Sequence, residues 1–161
     1  MDKFLAIDAD LCTGCRSCEM ACSLKHDLMC SPQMSRIRIQ KFGDVGVSVP
    51  IVCVHCGDPV CEKVCPTGAR MRNGQTGAVV TNENVCIGCK SCSYACPFSA
   101  PIYHPLKQKM ITCDLCDGDP QCARACTPKA LVYASKDGAT MIKKRRYASL
   151  LVDQLKPPVA G

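Results

Sequence analysis

Seventeen of the 161 residues are cysteine, and sixteen of them fall into four groups of four. The first is Cys12, Cys15, Cys18 and Cys22, spaced C-x2-C-x2-C-x3-C. The second is Cys53, Cys56, Cys61 and Cys65, with its middle spacer widened to x4 and Pro66 next. The third, Cys86, Cys89, Cys92 and Cys96, repeats the first spacing and adds Pro97. The fourth, Cys113, Cys116, Cys122 and Cys126, has an x5 spacer and meets its proline one residue late, at Pro128. Cys30 stands outside the groups. Thiolates are soft donors, and such close-set quartets suit iron–sulfur clusters or zinc rather than cations that prefer oxygen.

The run C-x2-C-x2-C-x3-C-P is that of bacterial ferredoxins. Three thiolates at x2 intervals can wrap three irons of one cubane. The fourth cysteine is expected to begin a short helix pointing away and to ligate the other cluster of a pair. A proline there suits a turn entering a helix. Gly14 and Gly88 are expected to let the backbone approach inorganic sulfide. Four [4Fe-4S] clusters account for sixteen thiols. Zinc needs only four ligands from two pairs and leaves the third cysteine and the trailing x3-C-P unexplained; it competes only at the irregular second or fourth group. A disulfide framework requires an oxidising compartment. Met1–Asp8 lacks the apolar run of a secretory leader, so a cytoplasmic location is expected.

The elements must place these groups without much packing. Hydrophobic residues make up 47% of the chain only when the 17 cysteines are counted, and Trp is absent. Phe4–Asp8 reads as a strand entering the first group. Ser35–Gln40 and Val45–Val54, with Gly43 and Gly46 between them, read as a hairpin. Asn73-Gly74 and Thr76-Gly77 within 71–80 predict a second. Ala130–Tyr133 predicts a strand, and Lys136-Asp137-Gly138 a turn. From Thr140 to Leu155 the period becomes helical, with Met141, Ala148, Leu151 and Leu155 on one face, and Pro157-Pro158 ends it. The basic stretch Lys143–Arg146 in that helix is either solvated or a docking element for an acidic face. Few aromatics accompany the charge, so nucleic acid is not an expected partner. No run of about 18 apolar residues exists, so no membrane span is expected.

These residues resemble the iron–sulfur electron-transfer subunits of molybdenum- and tungsten-pterin oxidoreductases, such as DMSO, thiosulfate and polysulfide reductases and formate dehydrogenases. Cys65-Pro66-Thr67-Gly68-Ala69 and Cys96-Pro97-Phe98 carry the likeness, while Cys126-Thr127-Pro128 departs from it. The resemblance implies an α+β fold of two tandem bacterial-ferredoxin-like modules with short hairpins and a C-terminal helix. One module comprises 1–48 with 101–137, the other 49–100, and 138–161 forms the helix and tail. It also implies four ligand sets: Cys12, Cys15, Cys18 and Cys126; Cys113, Cys116, Cys122 and Cys22; Cys53, Cys56, Cys61 and Cys96; and Cys86, Cys89, Cys92 and Cys65.

A finer likeness rests on Cys15–Ser23, Ser31-Pro32 and Ser35–Ile39. It is to small subunits that accompany tungsten-dependent aldehyde oxidoreductase-type catalytic subunits. It implies a large tungsten-pterin partner, and a flavin- and NAD-binding subunit as acceptor. The alternatives are a molybdenum reductase or formate dehydrogenase subunit, or a free-standing polyferredoxin. No G-x-G-x-x-G, no G-x-x-x-x-G-K and no nucleophile–base pair appears, so the chain is read as conducting electrons without catalysing bond chemistry. His26, His55 and His104 read as hydrogen-bonding residues. Lys63, Arg70, Lys90, Lys109 and Arg124 lie near ligands, either as solvated charges or as groups that raise local potentials. Cys30 is expected to be a buried or half-buried free thiol. Self-association that extends the conducting path is a further expectation. The polypeptide charge of +6 falls to about −2 once four oxidised clusters of about −2 each are counted.

Overall fold

In a computed structural model, which describes residues 3–155, short antiparallel ribbons alternate with the cysteine groups. β1 (Lys3–Ile7) pairs with β8 (Leu131–Ser135), Leu5 opposite Tyr133 and Ile7 opposite Leu131. β2 (Arg38–Phe42) and β3 (Val47–Ile51) form the first expected hairpin, its turn closing through Gly46 at φ +67°. β4 (Arg70–Arg72) and β5 (Val79–Thr81) form the second. Its turn is built by Asn73, whose Oδ1 accepts the N–H groups of Gln75 and Thr76 at 2.8 and 3.2 Å, the local bonding that favours Asn in turns. A third hairpin, β6 (Ile102–His104) with β7 (Lys109–Ile111), was not expected. Its strands are three residues each, and Pro105 sits in the connection, so no alternation announces it.

Among the described residues there are five α-helices, α1 (Ser17–Asp27), α2 (Val60–Lys63), α3 (Ser91–Tyr94), α4 (Gln121–Arg124) and α5 (Lys136–Leu155), with four short 3-10 turns. α1 packs on α4, and α2 on α3. The expected turn at 136–138 is instead the first turn of α5. Ser135 Oγ accepts the Gly138 N–H at 3.2 Å, which is N-cap geometry and starts the helix four residues early. The expected apolar face is also displaced. Ala139 is the buried residue, while Met141 is 64% exposed and Ala148 is exposed. The side chains of Leu151 and Leu155, and Pro157-Pro158, lie outside what the structure describes. No helix among the described residues is long and apolar enough to cross a membrane.

The core is threaded with thiols. Leu5, Ile37, Ile39, Val52, Leu115 and Leu131 pack with Cys18, Cys22, Cys113, Cys122 and Cys126. Ala69, Val79 and Met110 pack with Cys61, Cys86 and Cys92. The thin aliphatic supply is thus arranged around sulfur rather than as a separate layer. A small α+β protein with short hairpins and few helices is the result.

Candidate functional site

The four cysteine loops repeat one backbone shape. The residue before the second cysteine is left-handed in each: Gly14 (φ +67°), His55 (+50°), Gly88 (+69°) and Leu115 (+61°). Three residues beyond the fourth cysteine, Gly68, Ser99 and Lys129 are left-handed too. Each donates its N–H to that cysteine's carbonyl, at 3.2, 3.0 and 3.2 Å. Non-glycine residues accept this conformation at a cost, so the loop shape is held even where the residue type resists it.

The two glycines have a further reason that differs from the one expected. A Cβ on Gly14 would lie 2.5 Å from Ser48 Oγ, and one on Gly88 2.5 Å from the Gln108 carbonyl oxygen. Each loop therefore rests directly on a neighbouring hairpin turn or strand.

The helices are also placed differently from expectation. The third cysteine of every group sits in a helix, Cys18 in α1, Cys61 in α2, Cys92 in α3 and Cys122 in α4, whereas three of the four fourth cysteines do not. Left-handed Arg16 and Lys90 precede two of these helices, and Pro59 and Pro120 the other two. Cys65, Cys96 and Cys126 lie just past the helix ends, so Pro66 and Pro97 stop a helix rather than open one. Cys22 alone is inside a helix body, because α1 continues to Asp27.

Thiols far apart in sequence converge on shared voids. Cys12, Cys15 and Cys18 wall one with Cys126. Cys113, Cys116 and Cys122 wall another with Cys22. Cys53, Cys56 and Cys61 wall a third with Cys96. Cys65 packs with Cys86 and Cys92, and its charge reaches Cys89. All seventeen thiols are free, and Cys15, Cys56 and Cys89 are exposed. Cys30 is exposed as well, a correction to the buried thiol expected. It follows the left-handed C-cap Leu28 that ends α1, on a turn rather than in the core.

The donor chemistry fits a thiolate-bound metal cluster. Burial pushes the Cys18 thiol up to about 12, with the Glu19 charge adding to it. Burial and then the charge of Cys22 push Cys122 up to about 12. Burial raises Cys113 well above its ordinary value. Buried thiols from distant loops thus line common voids, the donor set that a bound metal cluster takes by displacing their protons. Backbone N–H groups already point at sulfur: Arg36 at Cys22 (3.3 Å), Leu115 at Cys113 (3.4 Å) and Met110 at Cys86 (3.5 Å). Such bonds favour the charged form of the sulfur.

The histidines form hydrogen bonds as expected. His26 Nε2 lies 3.6 Å from Cys116 Sγ and 3.5 Å from Asp114 Oδ1, and Arg36 pairs with Asp114 at 2.8 Å and touches His26. That guanidinium makes the trio of His26, Asp114 and Cys116 a poor cation site of its own. His55 Nδ1 accepts the Val79 N–H at 3.0 Å. His104 is 1% exposed and Nε2 meets Asp27 Oδ1 at 3.0 Å, while Nδ1 accepts the Lys107 N–H at 3.1 Å.

The five basic residues near ligands separate clearly. Lys63 pairs with Asp58 and Arg124 with Asp119 at the surface. Lys90 lies over the Tyr103 ring, 4.6 Å from its centroid. Lys109 donates to the Cys86 carbonyl. Arg70 alone is buried, 2% exposed, with Nη2 donating to Cys61 Sγ at 3.5 Å. Sequence reasoning missed Glu19. It is 2% exposed one residue after Cys18, and its Oε1 accepts the Ile39 N–H at 2.8 Å. No spacing rule marks a buried carboxylate inside a cysteine loop.

Comparison with known proteins agrees with this geometry. The family described as 4Fe-4S dicluster domain matches residues 46–119, and that described as 4Fe-4S binding domain matches residues 9–25. The chain is 43% identical over 123 residues to the aliphatic sulfonate oxidoreductase, polyferredoxin-like subunit of Pyrococcus furiosus, covering 76% of this chain and 70% of the relative. It is 40% identical over 151 residues to the B subunit of anaerobic dimethyl sulfoxide reductase from Escherichia coli, covering 81% and 72%. In fold it is similar to one subunit of the active site complex BamBC of benzoyl coenzyme A reductase in complex with 1,5-dienoyl-CoA. The TM-score is 0.50 and the identity 24%, over 95% of this chain and 96% of that one. The chain belongs to the ferredoxin-type 4Fe-4S family of iron–sulfur electron-transfer subunits of oxidoreductases, subunits that are not catalytic on their own.

Proposed function

We propose that the chain holds four [4Fe-4S] clusters and relays single electrons between a pterin-containing catalytic subunit and a second redox partner. The observation that carries this reading is the convergence of Cys126 on Cys12, Cys15 and Cys18, and of Cys22 on Cys113, Cys116 and Cys122. Three thiols from one loop and a fourth from a distant one is the ligand pattern of paired cubanes. Cys96 meets Cys53, Cys56 and Cys61 in the same way, and Cys65 joins Cys86, Cys89 and Cys92. The sixteen cysteines are assigned as ligands in those four sets. When bound, such clusters supply one-electron carriers whose potentials are set by charge, hydrogen bonds to sulfur and exposure.

The protein's own part is to hold and shield. Buried Leu131 and Ile39 exclude water from the Cys12–Cys126 void, and Leu115, Ile37 and Val52 from the Cys22–Cys113 void. Two modules follow from the pairing, 1–48 with 101–137 and 49–100, supported by the contacts of α1 with α4 and of α2 with α3.

The catalytic partner is proposed to be a tungsten enzyme of aldehyde oxidoreductase type with a flavoprotein as the other partner, from the likeness around Cys15–Ile39. Likeness to the dimethyl sulfoxide reductase B subunit favours a second reading, a molybdenum-type reductase partner. A cytoplasmic site and self-association complete the proposal.

Iron and acid-labile sulfide analysis tests the core of it: about 16 Fe per chain is expected, from four four-iron clusters. Cys96→Ser is expected to damage the cluster built on Cys53, Cys56 and Cys61. Loss of only the Cys86–Cys92 signal by EPR would refute the crossed assignment. Native co-purification with a metal–pterin subunit checks the partner, and migration alone refutes it.

A further inference from the structure

Arg70 brings a positive charge into the interior, where it is 2% exposed. Nη1 donates to Thr81 Oγ1 at 2.6 Å and to Thr112 Oγ1, and Nη2 donates to Cys61 Sγ at 3.5 Å. Nε has no partner. Among the described residues no carboxylate lies within ion-pair distance of it. A guanidinium does not deprotonate in a protein, and burying one against neutral groups alone is strongly unfavourable. The interior must therefore supply negative charge that the polypeptide's carboxylates do not.

What surrounds Arg70 is sulfur. It lines the void walled by Cys53, Cys56, Cys61 and Cys96. Cys61, which accepts from Arg70, packs with Cys86 and Cys92 of the other proposed set, so a single cation stands between two neighbouring quartets. The threonines fix it there: Thr81 comes from β5 and Thr112 follows β7, so two hairpins hold the guanidinium at its station.

We propose that Arg70 is the internal counter-cation of the two clusters held by the second and third cysteine groups, positioned to raise their reduction potentials. The inference rests on the four-cluster reading above. An oxidised cubane with four thiolates carries about −2, and reduction adds another negative charge. A fixed cation beside the sulfur favours the more negative, reduced form. Lys63 and Arg124 are exposed and ion-paired, and Lys90 and Lys109 engage a ring and a carbonyl, so none duplicates the role.

The test is an EPR-monitored redox titration of the full, cluster-loaded chain, with iron and sulfide analysis, for the unsubstituted protein, Arg70→Gln and Arg70→Lys. Arg70→Gln is expected to keep its iron. Two of its signals should become at least about tenfold less reduced at a fixed ambient potential, a downward shift of about 59 mV for a one-electron couple. Arg70→Lys restores the charge and is expected to stay within about threefold of the unsubstituted protein. Arg70→Gln with full iron and unmoved potentials overturns the inference, as does Arg70→Lys falling as far as Arg70→Gln. If Arg70→Gln fails to retain iron, Arg70→Lys carries the test alone: unmoved potentials support the role and a tenfold fall overturns it. An unsubstituted protein without cubanes overturns the four-cluster reading instead, and the iron analysis tells the two failures apart.

Discussion

Adding one methyl group at each of three left-handed glycines should produce three different losses of stability. At Gly46, φ is +67° and nothing lies within 4 Å of the new Cβ. Gly46→Ala therefore carries only the left-handed penalty of about 1–2 kcal/mol. At Gly14 the Cβ would meet Ser48 Oγ at 2.5 Å, but that hydroxyl is a side-chain end and can rotate away. At Gly88 the obstacle at 2.5 Å is the Gln108 carbonyl oxygen, where ordinary contact begins at 3.4 Å, so backbone must give by about 0.9 Å. Gln108 is itself left-handed, at φ +54° in the β6–β7 turn, and its N–H is bonded to the His104 carbonyl at 2.9 Å. That turn has little freedom to retreat. An overpacking cost of about 1–3 kcal/mol adds to the left-handed penalty, for a total of about 2–5 kcal/mol at Gly88. For a chain of this size each kcal/mol is worth roughly 2–4 °C in melting temperature. Thermal unfolding of the cluster-loaded proteins by far-UV circular dichroism is expected to rank Gly46→Ala mildest and Gly88→Ala worst, with Gly14→Ala between. Equal losses at Gly46 and Gly88 would show that conformation alone matters and that the loops do not rest on the hairpins.

Other perturbations read other parts of the structure. Burial, and then Arg72 and Arg70, lower the His55 pKa from 6.5 to about 4. Its contribution is whole above pH 6.5 and is lost as pH falls from there toward 4, at up to about 1.4 kcal/mol per pH unit. His55→Asn suits the left-handed backbone and cannot take up that proton, so its stability between pH 6.5 and 4 is expected to fall less steeply; parallel profiles would contradict this. Asp27 binds His104 and Lys107, tying the end of α1 to the β6–β7 hairpin. Asp27→Ala is expected to cost about 1–3 kcal/mol by stranding the buried Nε2–H donor of His104. Asp27→Asn, which keeps an acceptor, should cost less, as read from urea midpoints at constant slope.

The cysteine groups were readable because thiol spacing is a direct statement about metal chemistry, and the β2–β3 and β4–β5 hairpins because Gly46 and Asn73 do specific work in their turns. The β6–β7 hairpin escaped notice because three-residue strands leave no period to detect. The start of α5 was misplaced because Gly138 suggests a turn, whereas the Ser135 cap decides the outcome. The helices were set on the wrong cysteine because a proline reads equally well as a start or a stop, and only the backbone shows that α2 and α3 end before Pro66 and Pro97. Arg70 was visible as one of five cations. What distinguishes it is burial by β5 and β7, which no local sequence pattern encodes. The exposure of Cys30 was missed for the same reason.

The pairing of β1 with β8 has a consequence for how the protein is made. Residues 3–7 find their partner only when 131–135 exist, and Cys12, Cys15 and Cys18 acquire Cys126 only then. A ribosome working from the N-terminus therefore releases three unquenched thiols and an unpaired strand edge early, and leaves them waiting through most of translation. The groups from Cys53 to Cys96 find their partner thiols within that stretch and take their remaining support from the β6–β7 hairpin, which ends well before β8. The Cys12–Cys126 void is therefore the one whose wall closes last as the chain is extended. The last described strand to emerge acts as the clasp, so a chain truncated before it would forfeit the one ladder partner that β1 has among the described residues.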